Sequence, residues 1–502
     1  MDDIFQAIQL TCAVKPLLAN GIGVALGIIF GALPGLTAAM GVALLLPLTF
    51  NLPVAEAFSA LLGMYCGAIY GGSITAILIG TPGTVAAAAT MLEGPALTAR
   101  GQSKKALDMA TFASFFGGAF SCVALIVMAP MLARVATAFG PAEYFAVAIF
   151  GMTVVASLAA ASPVKGMLSA LLGCYCATMG GDPITGEVRN TYEMTELISG
   201  FTLVPVLVGL FAVAQIFVTV EDSLRGVTRD MTLRLSREGL KLRDFFRYKW
   251  NMLRSSIIGV IVGIIPATGG GSASYLAYST AQRYSDTPEE FGKGTLEGIA
   301  ATESANNAST GGTLIPLLTL GVPGDIVTAI MLGALMIQGL VPGPLLFQNE
   351  PQAVYSIFIA FIISNVLMLI IGLSAVRSLS NILRIPPTVL MPCVMTLCII
   401  GAWAVNTSAF DLYTVVIFGV LGYLMHKVGM PAAPLLLSMI LSPIAETNFR
   451  RAIIVSNGDY SVFFTSYISL GLLLVSAAVA AKTVWNEVQR RRHLAASQTE
   501  AS

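Results

Sequence analysis

No Asp, Glu, Lys or Arg occurs between Pro16 and Ala55, nor between Ala57 and Leu92. Runs of this kind decide the solvent. A helix crosses about 30 Å of hydrocarbon with about 20 apolar residues. Further charge-free runs cover Met109 to Leu132, Tyr144 to Val164, Gly166 to Gly181 and Leu197 to Val220. After a polar interval the rhythm resumes at Ser255 to Gln282, Ser304 to Gly324, Ile326 to Asn349, Pro351 to Val376, Ile385 to Phe410, Leu412 to His426, Val428 to Ala445 and Ser461 to Ala481. They predict an all-α polytopic membrane protein with about 12 transmembrane or re-entrant helices.

Composition agrees. Only 11% of the 502 residues are charged, against about 25% in soluble domains. Lys plus Arg is 27 and Asp plus Glu is 27, so there is no cationic excess for nucleic acid. The seven Cys lie mostly in apolar runs, and two His leave little room for zinc. The start, Met1-Asp2-Asp3, is acidic where a secretory signal is basic. The first apolar run is therefore expected to stay as a span of a multi-pass inner-membrane protein. Arg225 to Arg254 carries nine basic residues, and the tail has Arg490-Arg491-Arg492. Both read as cytoplasmic under the positive-inside rule. The expected organisation is a first membrane repeat (1–220), a basic cytoplasmic connector (221–254), a second membrane repeat (255–482) and a cytoplasmic tail (483–502).

The chain contains itself twice. Gly27-Ile-Ile-Phe-Gly31-Ala-Leu-Pro34 aligns with Gly259-Val-Ile-Val-Gly263-Ile-Ile-Pro266, at an offset of 232 residues. Gly71-Gly72-Ser73 through Gly80-Thr-Pro82-Gly83 aligns with Gly311-Gly312-Thr313 through Gly321-Val-Pro323-Gly324, with one residue inserted. Repeats this long are not solenoid units; in an apolar chain they suggest a duplicated transporter. Transporter precedent makes inverted repeats the expectation.

These motifs set Pro-Gly and Gly-Gly at membrane depth: Pro34-Gly35, Gly71-Gly72, Pro82-Gly83, Gly269-Gly270-Gly271, Gly311-Gly312 and Pro323-Gly324. Broken helices there are tolerable only when buried in protein or lining a wet cavity. Freed N–H groups attract carboxylates, and freed C=O groups coordinate Na⁺. The candidate substrate-binding residues are Thr37, Ser73, Thr75, Thr81, Pro82, Gly83, Thr84, Asn306, Asn307, Thr310, Gly311, Gly312, Pro323 and Gly324. The candidate cation-binding residues are Pro34, Gly35, Thr268, Gly269, Asn306 and Asp325. Isolated Ser or Gly reads equally as interface filler, but two adjacent carboxamides are costly filler in lipid. Asp325 reads evenly as a cation site or as a helix cap. For Glu297 and Glu303, on the approach to the Asn pair, a loop role outweighs a coupling role. The motif runs Ala57 to Leu92 and Ser304 to Gly324 hold no Lys or Arg to clamp an anion.

At these residues the sequence resembles the large membrane subunit of the tripartite tricarboxylate transporters. The likeness runs through Gly31-Ala-Leu-Pro-Gly-Leu36, Tyr70-Gly-Gly-Ser-Ile74, Thr81-Pro-Gly-Thr84 and Pro141-Ala-Glu-Tyr-Phe145. It continues in Asp182-Pro-Ile-Thr-Gly186 with Arg189, Glu297-Gly through Ala305-Asn-Asn-Ala308, Gly311-Gly-Thr-Leu-Ile-Pro316, Gly321-Val-Pro-Gly324 and Gly339-Leu-Val-Pro-Gly-Pro344. Pro443-Ile-Ala-Glu446-Thr-Asn448 keeps the pattern only loosely and receives no site role. The resemblance implies a cation-driven carboxylate importer of the bacterial inner membrane, with Na⁺ or H⁺ as coupling ion and no other cofactor. It also implies two partners, a small four-helix membrane subunit and a periplasmic solute-binding protein. A stand-alone organic-anion carrier is the alternative. An enzyme is disfavoured: there is no His-Glu-x-x-His, and Val322-Pro323-Gly324-Asp325 lacks the first Gly of an intramembrane aspartyl protease motif.

Overall fold

The computed structural model describes residues 2–33, 36–158, 163–225, 239–240, 242–266, 269–382 and 387–500. Seven described helices are long and apolar enough to cross a membrane, and four shorter apolar helices accompany them. The only described strands are two-residue pieces, β1 (Gly180–Gly181) and β2 (Val188–Arg189), paired antiparallel. Large apolar side chains point outward along the long helices, among them Val123, Met131, Ile370, Val416 and Leu474. Such surfaces suit lipid and not water. The protein is an all-α membrane protein.

After a short helix at Asp2–Thr11, its first half runs through α1 (Val14–Ala32), α2 (Ala38–Leu45) and α3 (Val54–Ile79). Then come α4 (Ser103–Ala136), α5 (Pro141–Leu158), α6 (Pro163–Ala177) and α7 (Leu203–Leu224), the last with a π-helical stretch at Val208–Val213. The second half opens likewise with α8 (Lys249–Ile264), α9 (Gly269–Tyr284), α10 (Leu296–Leu320) and α11 (Ile326–Ile337). α12 (Pro351–Ile382), α13 (Pro387–Asn406), α14 (Ala409–Lys427), α15 (Ala433–Val455) and α16 (Tyr467–Glu500) follow. Helix α8 begins inside the interval expected to be a connector.

Two helices form the centre. Residues 57–77 of α3 and 298–319 of α10 are buried throughout. A helix buried on every face needs close neighbours, and glycine supplies them. A β-carbon on Gly23, Gly27 or Gly31 of α1 would stand 2.1–2.4 Å from carbonyl oxygens of Ala60, Met64 and Ala68 on α3. The second half repeats the contact: β-carbons on Gly259 and Gly263 of α8 would stand 2.4 and 2.6 Å from the carbonyls of Ala305 and Ser309 on α10. On its other side α10 meets α4, where a β-carbon on Gly117 would stand 2.1 Å from the Ser304 carbonyl.

The Gly-Gly pairs therefore do not break helices, contrary to expectation. Gly71-Gly72 and Gly311-Gly312 lie inside unbroken α3 and α10. Glycine costs about 1 kcal/mol in a helix, but here the missing side chain permits backbone contact: Gly71 meets Ile28 and Gly312 meets Val260. The true breaks come eight residues after Gly72 and nine after Gly312, at left-handed Gly80 (φ 63°) and Gly321 (φ 71°). These glycines end α3 and α10 at matched positions.

Candidate functional site

Beyond each left-handed glycine the two halves follow the same course. Pro82-Gly83 turns back so that Gly83 N–H donates to the Gly72 carbonyl at 3.3 Å. A β-carbon on Gly83 would stand 1.8 Å from the Gly31 oxygen, and one on Gly324 would stand 2.7 Å from the Gly263 oxygen. A capping residue comes next. The Thr84 hydroxyl accepts from Ala87 N–H at 3.3 Å over a 3₁₀ turn (Val85–Ala88). Asp325 accepts from Thr328 N–H at 2.7 Å and completes a capping box on α11.

The halves then cross over. Gly270, in the first turn of α9 in the second half, lies against Ala86 of the first half's 3₁₀ turn and against Asn306. Helix α2, of the first half, packs on α11 of the second. Tyr65 on α3 bonds Thr313 at 3.1 Å and donates to Asp325 Oδ2 at 2.6 Å. Asp325 thus has its capping role together with a bond across the repeat boundary.

Between α3, α4 and α10 sits a polar cluster centred on Glu303. The expectation of a loop role for Glu303 and Glu297 is corrected here. Both lie in α10, and Glu303 is fully buried at mid-helix. Its Oε1 accepts from the Thr90 hydroxyl, and its Oε2 accepts from the Ser114 hydroxyl at 3.1 Å. Thr302 bonds Thr90 at 2.9 Å, and Asn307 Nδ2 donates to Ser114 Oγ at 2.8 Å. Neutral donors from α4 and from the turn at Thr90 thus meet both carboxylate oxygens. No described Lys, Arg or His pairs with it.

The predicted residues divide sharply. Asn307 is committed to Ser114 and to the Glu303 carbonyl. The hydroxyls of Thr75 and Thr310 return to carbonyls of their own helices, at Gly72 and Asn307. Thr37 caps α2 by accepting from Met40 N–H at 3.1 Å. Thr81 N–H donates to the Thr75 carbonyl. Gly311 is pressed on Ser121, and Gly269 (φ 60°) begins α9. Asn306 and Ser73 differ: both are fully buried, and no hydrogen-bond partner meets the Asn306 amide or the Ser73 hydroxyl. Both lie close to the Glu303 carboxylate. Pro34, Gly35 and Thr268 fall outside the described residues.

Two further clusters carried no signal that spacing alone could expose. Glu93 is fully buried and accepts from Gly292, Gly294 and Thr295 N–H at 2.6–2.8 Å and from the Tyr278 hydroxyl at 2.7 Å. It ties the first half to the loop before α10. Near β1 and β2, Arg450 bonds Asp182 and Glu446, both at 2.7 Å, and Arg189 bonds the same two acids. N–H groups of Thr185 and Ile184, and then Arg450, hold the Asp182 carboxyl well below the usual carboxylate range. Glu446 has a partner role that its loose motif did not reveal.

Lipid-facing helices around a buried polar centre, built twice from the same motif, define a polytopic membrane transporter. A sequence model of the Tripartite tricarboxylate transporter TctA family matches residues 17–437, and the chain belongs to that family. It is 39% identical over 474 residues, 94% of its length, to an uncharacterized 52.8 kDa protein in the TAR-I ttuC′ 3′ region of Agrobacterium vitis, covering 93% of that protein. It is 40% identical over 215 residues, 43% of its length, to an uncharacterized protein in the TAR-II ttuC′ 3′ region of the same organism, covering 89% of that protein. No solved structure gives a significant match. The chain is a component of a tripartite system.

Proposed function

We propose that the chain is the large membrane subunit of a Na⁺-coupled importer of organic carboxylates in the bacterial inner membrane. A periplasmic solute-binding protein delivers the cargo, and a small four-helix membrane subunit completes the complex. The carboxylate is met by hydroxyl, amide and backbone N–H groups at the two Pro-Gly ends, because the motifs contain no arginine clamp. Alternating access follows from the duplication: each half carries one Pro-Gly-ended central helix, and the site forms where they cross.

The observation that carries this reading is the contact of Gly270, Ala86 and Asn306. It brings both halves' motifs to one buried carboxamide that has no bond of its own. A structural amide so deeply buried is normally satisfied.

The test is uptake of radiolabelled citrate and succinate into vesicles holding this subunit with its four-helix partner, with and without the binding protein and an inward Na⁺ gradient. Uptake requiring both additions is expected. Asn306→Ala should abolish it without loss of folded protein. Wild-type rates in Asn306→Ala would remove that residue from the site, and full uptake without the receptor would favour the stand-alone carrier.

A further inference from the structure

We propose that Glu303, Asn306, Ser73 and Thr90 form a Na⁺ site inside the membrane domain, with Glu303 supplying the charge. Spacing alone favours a loop role over a coupling role for Glu303, so the assignment rests on geometry. A buried carboxylate is expensive unless an opposite charge or a proton answers it. Glu303 accepts hydrogen bonds from the Thr90 and Ser114 hydroxyls and has no ion pair with a described residue.

The second observation is independent of the charge. Asn306 Oδ1 and Ser73 Oγ are buried completely and meet no partner at hydrogen-bond geometry, and both side chains neighbour the Glu303 carboxylate. An amide oxygen, two hydroxyl oxygens and a carboxylate are hard oxygen donors of the kind that small hard cations take. These donors come from both halves: Ser73 and Thr90 from the first, Glu303 and Asn306 from the second. Asn307, by contrast, is held by Ser114 and is not a ligand. A cation here joins α3 and the turn before residue 93 to α10, so its binding is sensitive to how the halves sit together.

This site rests on the transport reading only for its coupling to uptake, so binding is measured apart from transport. Purified full-length protein is melted in NaCl, KCl and choline chloride at equal ionic strength. A saturable rise in melting temperature specific to Na⁺ is expected, as for any ligand that binds only the folded state. Glu303→Gln should abolish the rise. Asn306→Ala and Ser73→Ala should each raise the half-saturating Na⁺ concentration about threefold or more. A Na⁺-specific rise that persists in Glu303→Gln overturns the assignment. So does a wild-type protein that responds to pH and not to Na⁺, which would make a proton the answer to the carboxylate. Should Glu303→Gln fail to fold, unchanged half-saturation in both single-ligand variants overturns it. Wild-type protein that binds Na⁺ through these residues but takes up no carboxylate would sink the transport reading and leave the site standing.

Discussion

The phenol of Tyr65 donates to Asp325 Oδ2 at 2.6 Å, joining the core helix of one half to the capping residue of the other. Both groups are buried in the centre, and Thr313 bonds the same phenol. The bond fixes where α11 starts relative to α3. Tyr65→Phe leaves the packing intact and removes one charge-assisted bond, a loss of about 1.5–3 kcal/mol. A lowered melting temperature with retained oligomeric behaviour on size exclusion is expected. An unchanged melting temperature would show that the bond contributes nothing.

Gly83 tests the close approach of the Pro-Gly turn. A β-carbon there would overlap the Gly31 oxygen, a backbone atom with no side chain to move aside. Gly83→Ala should yield little folded protein. Gly21→Ala, on α1 with nothing within 4 Å, should be neutral or stabilising by up to about 1 kcal/mol. Comparable yields of the two variants would refute the contact.

Glu93 tests the tie between halves. Glu93→Gln replaces an acceptor of three N–H donors with a group that must turn its own NH₂ somewhere. A loss of at least about 2 kcal/mol is expected, since buried donors are left unmatched. Faster proteolytic cleavage in the loop at 291–295 would report it directly; wild-type resistance there would contradict it.

Acid should loosen the cluster at β1 and β2. The Asp182 carboxyl is held low in the folded protein, chiefly by N–H groups of Thr185 and Ile184. A folded value below the unfolded one gives stabilisation that is complete above about pH 4 and lost as pH falls further. Melting temperature should therefore hold down to about pH 4 and fall as pH drops below it, and by less in Asp182→Asn. An equal drop in both proteins would exclude Asp182 as the source.

Much of the architecture was legible because it is written in spacing. Charge-free runs gave the all-α membrane class, and the Pro-Gly repeats gave the matched turns at Gly80 and Gly321. What spacing cannot show is which remote residue answers a buried group. Glu303 looked like a loop acid because its stabilising hydroxyls, Thr90 and Ser114, come from segments some 190–210 residues away. Gly71-Gly72 looked like a break because helix propensity was weighed without the neighbour at Ile28. Asn306 and Asn307 are adjacent and chemically identical, yet only coordinates separate the bonded amide from the unbonded one.

The exchange of segments between halves bears on how the chain is made. While the ribosome is still adding residues beyond 295, Ser73, Thr90 and Glu93 have already left it without the helix and loop they meet in the finished protein. A nascent first half therefore cannot close its own interior. Its buried polar groups find their partners only when translation delivers the second half.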